Sequence, residues 1–162
     1  AILGEAYQLP YAEAAFDLVC AFDVMEHVED DARVMKELAR VLADHGTLIL
    51  SAPLHADRWT RFDRLVGHCH RYDPGDLIAM LAKEKLSIER SAPYGMQPRS
   101  GWLLDFGVHV MRKHPAIAMN WYNRLLMPLA LRFEKKLQLS DGLIDTRRVD
   151  EALLVCRRGA RN

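Results

Sequence analysis

Residues 16–53 contain two apolar runs, FDLVCAF (16–22) and TLILSAP (47–53), on either side of a segment with helical periodicity (29–44). Short runs of this kind are typical of strands buried on both faces of a sheet. The three- and four-residue spacing of apolar residues between them predicts an amphipathic helix, ended by Gly46 as a left-handed cap. Two strands joined by one helix form a right-handed crossover, so we predict a parallel pair in an α/β fold.

The rest of the chain continues this alternation. Residues 54–73 are polar and aromatic without a clear period, and we interpret them as a lid-like loop beside the carboxyl edge of the sheet. Residues 99–140 are apolar and helical in pattern, with Pro128 as an interruption, and are predicted to be a helical insertion. The other predicted elements are a helix and two strands, at residues 74–85, 86–92 and 151–156.

Composition limits the classes of function. The 162 residues are 50% hydrophobic and 27% charged, which predicts a single domain over 1–162. Because 22 Lys+Arg balance 22 Asp+Glu, nucleic acid is not an expected partner. Three widely separated cysteines favour a reducing, cytoplasmic setting, and no apolar run is long enough to predict a membrane span.

Glycine placement predicts that the domain is incomplete at its N-terminus. The nine glycines include no closely spaced pair of the kind that cradles phosphates or nucleotides. The first residues, AILG (1–4), have the pattern of the middle of a strand. We therefore expect an N-terminal part of the domain to be absent from this chain.

An ordered series of short motifs carries a family resemblance. The motifs are ILGEA (2–6), LPY (9–11), FDLV (16–19), EHV (26–28), LARVL (38–42) and GTL (46–48). In this order and spacing they resemble the class I S-adenosylmethionine-dependent methyltransferases that act on small molecules. Two later segments, HCHRY (68–72) and YNRLLMP (122–128), resemble an uncharacterised bacterial branch of that family.

The resemblance implies a Rossmann-like sandwich: a mostly parallel sheet with helices on both faces and the strand order three, two, one, four, five, seven, six. It also implies S-adenosylmethionine as the cofactor. The family's glycine-rich loop after strand one and its acidic residue after strand two have no counterpart here, so we expect the first strands to be missing.

The resemblance also assigns residues to the cofactor. Glu5 and Ala6 match the acidic-plus-alanine pair that contacts adenine, although aspartate is usual in place of Glu5. The end of the family's fourth strand matches Phe22, Asp23 and Val24, which with Glu26 and His27 in the following turn would flank the methionine portion and the reacting methyl.

Histidines supply the catalytic candidates. His27 follows the carboxyl end of a strand, where ligands bind in α/β sheets, although capping of the next helix is an alternative role. In an extended segment His68 and His70 would face the same way, as a base and a substrate binder. No metal ligand is assigned, because their spacing fits no zinc signature.

Arg71 and Tyr72 follow these histidines and are predicted to hold a polar substrate group. The structural alternative is that they anchor the loop against Asp73 or Asp76. For residues 119–137, a buried core helix, a homodimer face and a peripheral membrane or lipid-like contact all stay open.

The leading functional hypothesis is therefore methyl transfer from S-adenosylmethionine to a small-molecule acceptor. Two alternatives stay open. One is a noncatalytic fragment or interaction module whose cofactor site is not assembled, and the other is a metal-dependent hydrolase that uses the loop from His55 to His70.

Overall fold

A computed structural model describes residues 4–95, 109–110, 113–132 and 137–160. Five strands form one sheet in the order β1-β2-β5-β3-β4, with bounds Phe16–Ala21 (β1), Leu42–Pro53 (β2), Leu86–Pro93 (β3), Ser140–Asp141 (β4) and Glu151–Arg158 (β5). The β1–β2 pair is parallel, and the other three pairs are antiparallel. Strands β1, β2 and β3 therefore run in the same direction, and the predicted crossover is confirmed.

The α-helices are Asp31–Val41 (α1), Arg61–Val66 (α2), Pro74–Lys83 (α3), Pro115–Trp121 (α4) and Met127–Arg132 (α5). A π-helical turn, Tyr122–Leu126, joins α4 to α5. Three 3₁₀ turns lie at Met25–His27, Ala56–Arg58 and Thr146–Arg148.

Helix α1 begins and ends differently from the sequence expectation. The Asp30 side chain caps it by accepting a hydrogen bond from the Arg33 amide at 3.1 Å. The predicted cap at Gly46 is wrong, because the helix ends at Val41 and the chain passes directly into β2. A Cβ at Gly46 would lie 2.8 Å from the carbonyl oxygen of Ala43, so glycine is needed there for close packing.

The hydrophobic core lies between the sheet and helices α1 and α3. Alternate residues of the central strands enter it, because side chains of a strand point to opposite faces in turn. Strands β2 and β5 contribute core residues that are essentially inaccessible to solvent: Leu48, Leu50, Ala52, Ala152, Leu154 and Cys156.

Strand β1 is much less buried than its apolar sequence predicts. Leu18 is 54% exposed and Phe16 is 36% exposed, and within the strand only Ala21 is buried. The expectation of burial on both faces is wrong for the described chain. The side chains of β1 are exposed because this strand is the last one on its side of the described sheet and pairs with β2 along one edge.

Residues 54–73 are more ordered than the expected loop. They contain a 3₁₀ turn and helix α2, which begins with a reciprocal capping box between Thr60 and Asp63 and ends at Gly67 in a left-handed conformation. Parallel bridging of Leu54 with Tyr72 ties the two ends of the segment together. The prediction of an irregular loop is therefore wrong for residues 61–66.

The apolar C-terminal helices are only partly described. The predicted helix around residues 102–111 lies almost entirely outside the described residues. The break in the next helix is the π-helical turn, and Pro128 follows it as the second residue of α5. Trp121 is 60% exposed and Leu129 is 52% exposed, so the buried-core interpretation is wrong for these side chains. None of the described helices has the length and apolar character that crossing a membrane requires.

Candidate functional site

The ends of β1 and β2 are joined by a side-chain contact. Asp23 follows β1 with φ of 51°, in the left-handed region, and its amide donates to Oγ of Ser51 at 2.8 Å. The Ser51 hydroxyl in turn donates to Oδ1 of Asp23 at 2.8 Å. Ser51 is fully buried in β2, so this reciprocal pair fixes the Asp23 carboxylate at the carboxyl edge of the sheet.

A second carboxyl group lies beside Asp23. Glu151 begins β5 opposite Pro53 of β2. The pKa of Glu151 is raised to about 8, first by burial and then by a hydrogen bond with Asp23 and the negative charge of that residue. Glu151 therefore retains its proton at neutral pH.

Buried Asp63 organises the segment between β2 and α3. Its Oδ2 accepts hydrogen bonds from the amide and the hydroxyl of Thr60, both at 2.6 Å. Its Oδ1 lies 2.8 Å from Nε of Arg71 and 2.9 Å from Nδ1 of His68. Burial alone would raise the pKa of Asp63, but the hydrogen bonds from Thr60, Arg71 and His68 hold it below the ordinary value.

The rings of His27 and His68 are in contact at the carboxyl edge of the sheet. Their ring centroids are 4.8 Å apart with an edge-to-face angle of 77°. Nδ1 of His27 lies 3.3 Å from the carbonyl oxygen of Gly67, as Nδ1 of His68 lies against Asp63. Carbonyl and carboxylate oxygens only accept hydrogen bonds, so both Nδ1 atoms act as donors and each neutral ring keeps its lone pair on Nε2.

Glu26 lies next to His27 and is 2% exposed. Its Oε2 atom is buried and has no hydrogen-bond partner among the described residues. Burial raises the pKa of Glu26 above the ordinary value. Its backbone oxygen accepts hydrogen bonds from the amides of Cys69 and His70, so the histidine segment is docked directly on the turn that carries Glu26.

Arg71 and Tyr72, predicted to hold a polar substrate group, make their polar contacts with the protein itself. Both are buried, and Arg71 pairs with Asp63 and donates from Nη1 to the Leu54 carbonyl at 3.2 Å. The Tyr72 hydroxyl donates to the Met25 carbonyl at 3.0 Å. Their polar atoms bind the protein itself. These contacts favour the anchoring alternative, with Asp63, Leu54 and Met25 as partners in place of Asp73 or Asp76.

His68 and His70 do not act as a pair. Nε2 of His70 lies 3.2 Å from the Glu29 carbonyl oxygen, and its ring lies 6.1 Å from that of Tyr72. His68 instead contacts His27 and Asp63. The expectation that the two rings face the same way is wrong, because the segment is docked on Glu26 by successive amides rather than extended in solvent.

The other predicted cofactor residues lie on two segments. Glu5 and Ala6 belong to a turn closed by a 3.0 Å hydrogen bond from the Gln8 amide to the Glu5 carbonyl, and the turn is attached to α1 through Glu37. Phe22 is exposed and stacks on Tyr94 with ring centroids 6.4 Å apart. Val24, partly buried, precedes the 3₁₀ turn.

Sequence reasoning assigned no role to Ser51 and Glu151 at this edge, and it did not predict the burial of Asp63. One signal was available, because Thr60 followed three residues later by Asp63 is a capping-box pattern that predicts the start of α2. The burial of Asp63 depends on the later Arg71, and the approach of Glu151 to Asp23 depends on strand order. Neither can be found from local pattern.

Comparison with known proteins identifies the domain. Residues 1–50 match the family model described as "Methyltransferase domain". Ajmaline N-methyltransferase of Rauvolfia serpentina is 36% identical over 55 residues, which cover 34% of this chain and 19% of that protein. A probable S-adenosylmethionine-dependent methyltransferase of Mycobacterium tuberculosis is 46% identical over 46 residues, covering 28% of this chain and 17% of that protein. The matches thus span about a fifth of the length of these relatives.

The solved structure of a putative methyltransferase from Bacillus halodurans superimposes on nearly the whole chain. The TM-score is 0.60 at 17% identity, and the match covers 97% of this chain and 70% of that one. The chain therefore has the fold of the class I S-adenosylmethionine-dependent methyltransferases, and its residues 1–50 match a methyltransferase domain. Its consecutive strands β1, β2, β5 and β3 match strands four, five, seven and six of the order expected for that family.

Asp23, Glu26 and His27 follow β1, which matches the fourth strand of that order. The carboxyl edge of the sheet, where ligands bind in open α/β folds, is therefore the edge that carries the carboxylates and paired histidines.

Proposed function

We propose that the full-length protein transfers a methyl group from S-adenosylmethionine to a small-molecule acceptor, at the edge formed by residues 22–27 and His68. The observation that carries this proposal is the position of Asp23. It is held by buried Ser51 at the end of β1, and the same connection carries Glu26 and His27, against which His68 packs.

The residues at this edge fit the cationic end of the cofactor. The methionine portion of S-adenosylmethionine carries an ammonium group and a sulfonium, and Asp23 offers a carboxylate that Ser51 has already oriented. Phe22 would cover the methionine portion, and Glu5 and Ala6 would contact adenine. When bound, the cofactor supplies an electrophilic methyl group.

The described residues contribute mainly to orientation. Methyl transfer from a sulfonium is an in-line displacement, for which a fixed approach geometry gives most of the advantage. Asp63 and Arg71 hold His68, and Tyr72 holds the turn that carries Glu26 and His27. These contacts give the acceptor a rigid wall. The charge balance of the sequence and the naming of a relative for ajmaline support a small-molecule acceptor.

The free edge of β1 is where the rest of the cofactor site would attach. The exposed apolar side chains of Phe16 and Leu18 support further strands of the full-length protein lying there. Such strands would supply the glycine-rich loop for which the described residues have no counterpart.

Isothermal titration calorimetry with S-adenosylhomocysteine tests the proposal. We expect one site per chain in the full-length protein, and about tenfold weaker binding after Asp23→Asn, a loss of about 1.4 kcal/mol. Asp17→Asn is the matched control, because Asp17 lies near the opposite end of the same strand and is exposed. Absence of binding by the full-length wild-type protein would contradict the enzyme function and favour the interaction-module alternative.

A further inference from the structure

We propose that Glu26, His27 and His68 form a binding site for a divalent transition-metal ion of the Mn²⁺-to-Zn²⁺ series. This inference goes beyond methyl transfer, and metal binding can be measured without cofactor or acceptor. It also departs from the sequence expectation, which assigned no metal ligand.

The donor atoms already converge. One ligand atom from each of the three side chains lies within 4.8 Å of the others. Ligands about 2.1 Å from a tetrahedral ion are separated by about 3.4 Å, so the site has to close by little more than an ångström. His27 is exposed, and a small shift of its side chain that keeps the 3.3 Å contact with Gly67 can supply that movement.

Both imidazoles are oriented for metal binding. Nδ1 of His68 donates to Asp63, and Nδ1 of His27 donates to the carbonyl of Gly67, so Nε2 is the nitrogen that each ring has left for a metal. A ligating histidine commonly donates its other nitrogen to a carboxylate or a carbonyl, which fixes the ring and increases its basicity. In this cluster, the acceptor for His68 is the Asp63 carboxylate and the acceptor for His27 is the Gly67 carbonyl.

Glu26 supplies the independent observation. Its side chain is 2% exposed, and Oε2 has no hydrogen-bond partner among the described residues. Burying a carboxylate oxygen without a partner is unfavourable, and a cation at this position would satisfy it. The other described His/Asp group, His55 with Asp57 and Asp73, is more open, and Nε2 of His55 lies 2.7 Å from the Thr146 carbonyl oxygen.

The surrounding structure keeps the ligands in place. Glu26 and His27 lie on one 3₁₀ turn, which the Tyr72 hydroxyl binds through the Met25 carbonyl. His68 follows α2, and the next two amides donate to the backbone of Glu26. Two separate parts of the chain therefore present ligands from rigid positions, as a preformed metal site requires.

The donor set indicates the class of metal. Two imidazoles and one carboxylate suit Mn²⁺, Fe²⁺, Co²⁺ or Zn²⁺, whereas Mg²⁺ and Ca²⁺ prefer oxygen ligands alone. Three protein ligands leave at least one coordination position open for water or for an oxygen of a ligand. At the carboxyl edge of the sheet, such an ion would bind and orient an acceptor that carries oxygen or nitrogen donors.

The test is calorimetric titration of the full-length protein with ZnCl₂ and, separately, with MgCl₂. We expect one Zn²⁺ per chain and no comparable heat from Mg²⁺. Glu26→Gln and His68→Ala should each weaken Zn²⁺ binding at least tenfold, since even outer-shell changes cost about 10- to 100-fold. His45→Asn is the control, because it removes an imidazole outside the cluster, and Asn tolerates the φ of 59° found there.

Thermal unfolding of the same variants separates loss of the site from loss of the fold. Glu26→Gln removes a buried charge while keeping the shape of the side chain, so its melting temperature without metal should be no lower than that of the wild type. Zn²⁺ should raise the melting temperature of the wild type and not that of Glu26→Gln. Zn²⁺ affinity unchanged by both Glu26→Gln and His68→Ala, or Mg²⁺ binding as tight as Zn²⁺ binding, would overturn the proposal.

Discussion

In strand β1 and in the segment from Leu54 to Tyr72, the burial of the side chains is the opposite of what their polarity predicts. The strand is apolar, yet Leu18 is more than half exposed. The segment is polar, yet Asp63 and Arg71 are buried within it and paired at 2.8 Å. Burial therefore follows from neighbours in space. The edge strand has a neighbour along one side, whereas the polar segment is enclosed by β2, the 3₁₀ turn after β1 and its own hydrogen bonds.

The largest expected effect is loss of the charge at the centre of the polar segment. Asp63→Ala leaves Arg71 buried without its partner and removes the acceptor behind His68. We expect a loss of about 3–5 kcal/mol in the free energy of unfolding, measured by urea denaturation. Asp57→Ala, at an exposed position of the same segment, should change stability by less than about 0.5 kcal/mol. Equal effects of the two substitutions would mean that Asp63 does not organise the segment.

Two leucines on neighbouring strands sharpen the contrast. Leu50 of β2 is fully buried and Leu18 of β1 is exposed. In the 162-residue chain, Leu50→Ala should cost about 2–5 kcal/mol and Leu18→Ala less than about 1 kcal/mol, because only the first leaves a cavity. A cost for Leu18→Ala as large as that for Leu50→Ala would show that β1 is covered.

The acidic pair at the end of β1 predicts a pH dependence. The pKa of Glu151 rises from 4.5 to about 8 on folding, so the folded state favours its protonated form. The stabilisation is fully present below pH 4.5 and is lost as the pH rises through 8. Allowing for partial exposure, we expect a loss of about 1–2 kcal/mol between pH 5 and pH 8.5. The decline should be absent in Glu151→Gln, and an unchanged decline would assign it to another group.

The smallest expected effect concerns the end of α2. Gly67 has φ of 80° with open space around its Cα, so Gly67→Ala introduces backbone strain alone. We expect a loss of about 1 kcal/mol in the free energy of unfolding. Gly75→Ala, near the start of α3 and also in open space, should stabilise the protein by up to about 1 kcal/mol. If both substitutions stabilise the protein, the left-handed end of α2 is not required.

The spacing of apolar residues was sufficient to predict the helices and strands whose residues are neighbours in sequence. The crossover of β1, α1 and β2 and the strands β3 and β5 follow from apolar periodicity, within a few residues of the observed bounds. The position of His27 at the carboxyl edge follows from the strand that precedes it. The pairing of His27 with His68, across 41 residues of sequence, does not, because it depends on the docking of α2.

The same limit applies to Arg71 and Tyr72, for which the sequence left substrate binding and anchoring of the loop both open. Arginine and tyrosine after a histidine pair are typical of a polar binding segment, but Asp63 and the Met25 carbonyl satisfy both side chains inside the protein. A charged residue with a buried partner elsewhere in the chain cannot be distinguished from a substrate ligand by sequence spacing alone.

The central claim is that the carboxyl edge of β1 is the site of methyl transfer. It is tested most directly by ultraviolet cross-linking of methyl-labelled S-adenosylmethionine to the full-length protein, followed by peptide mapping. We expect label on the tryptic peptide that ends at Arg33, which contains Glu5 and residues 22–27, and competition by S-adenosylhomocysteine. Label that resists competition, or that is absent from this peptide, would contradict the account.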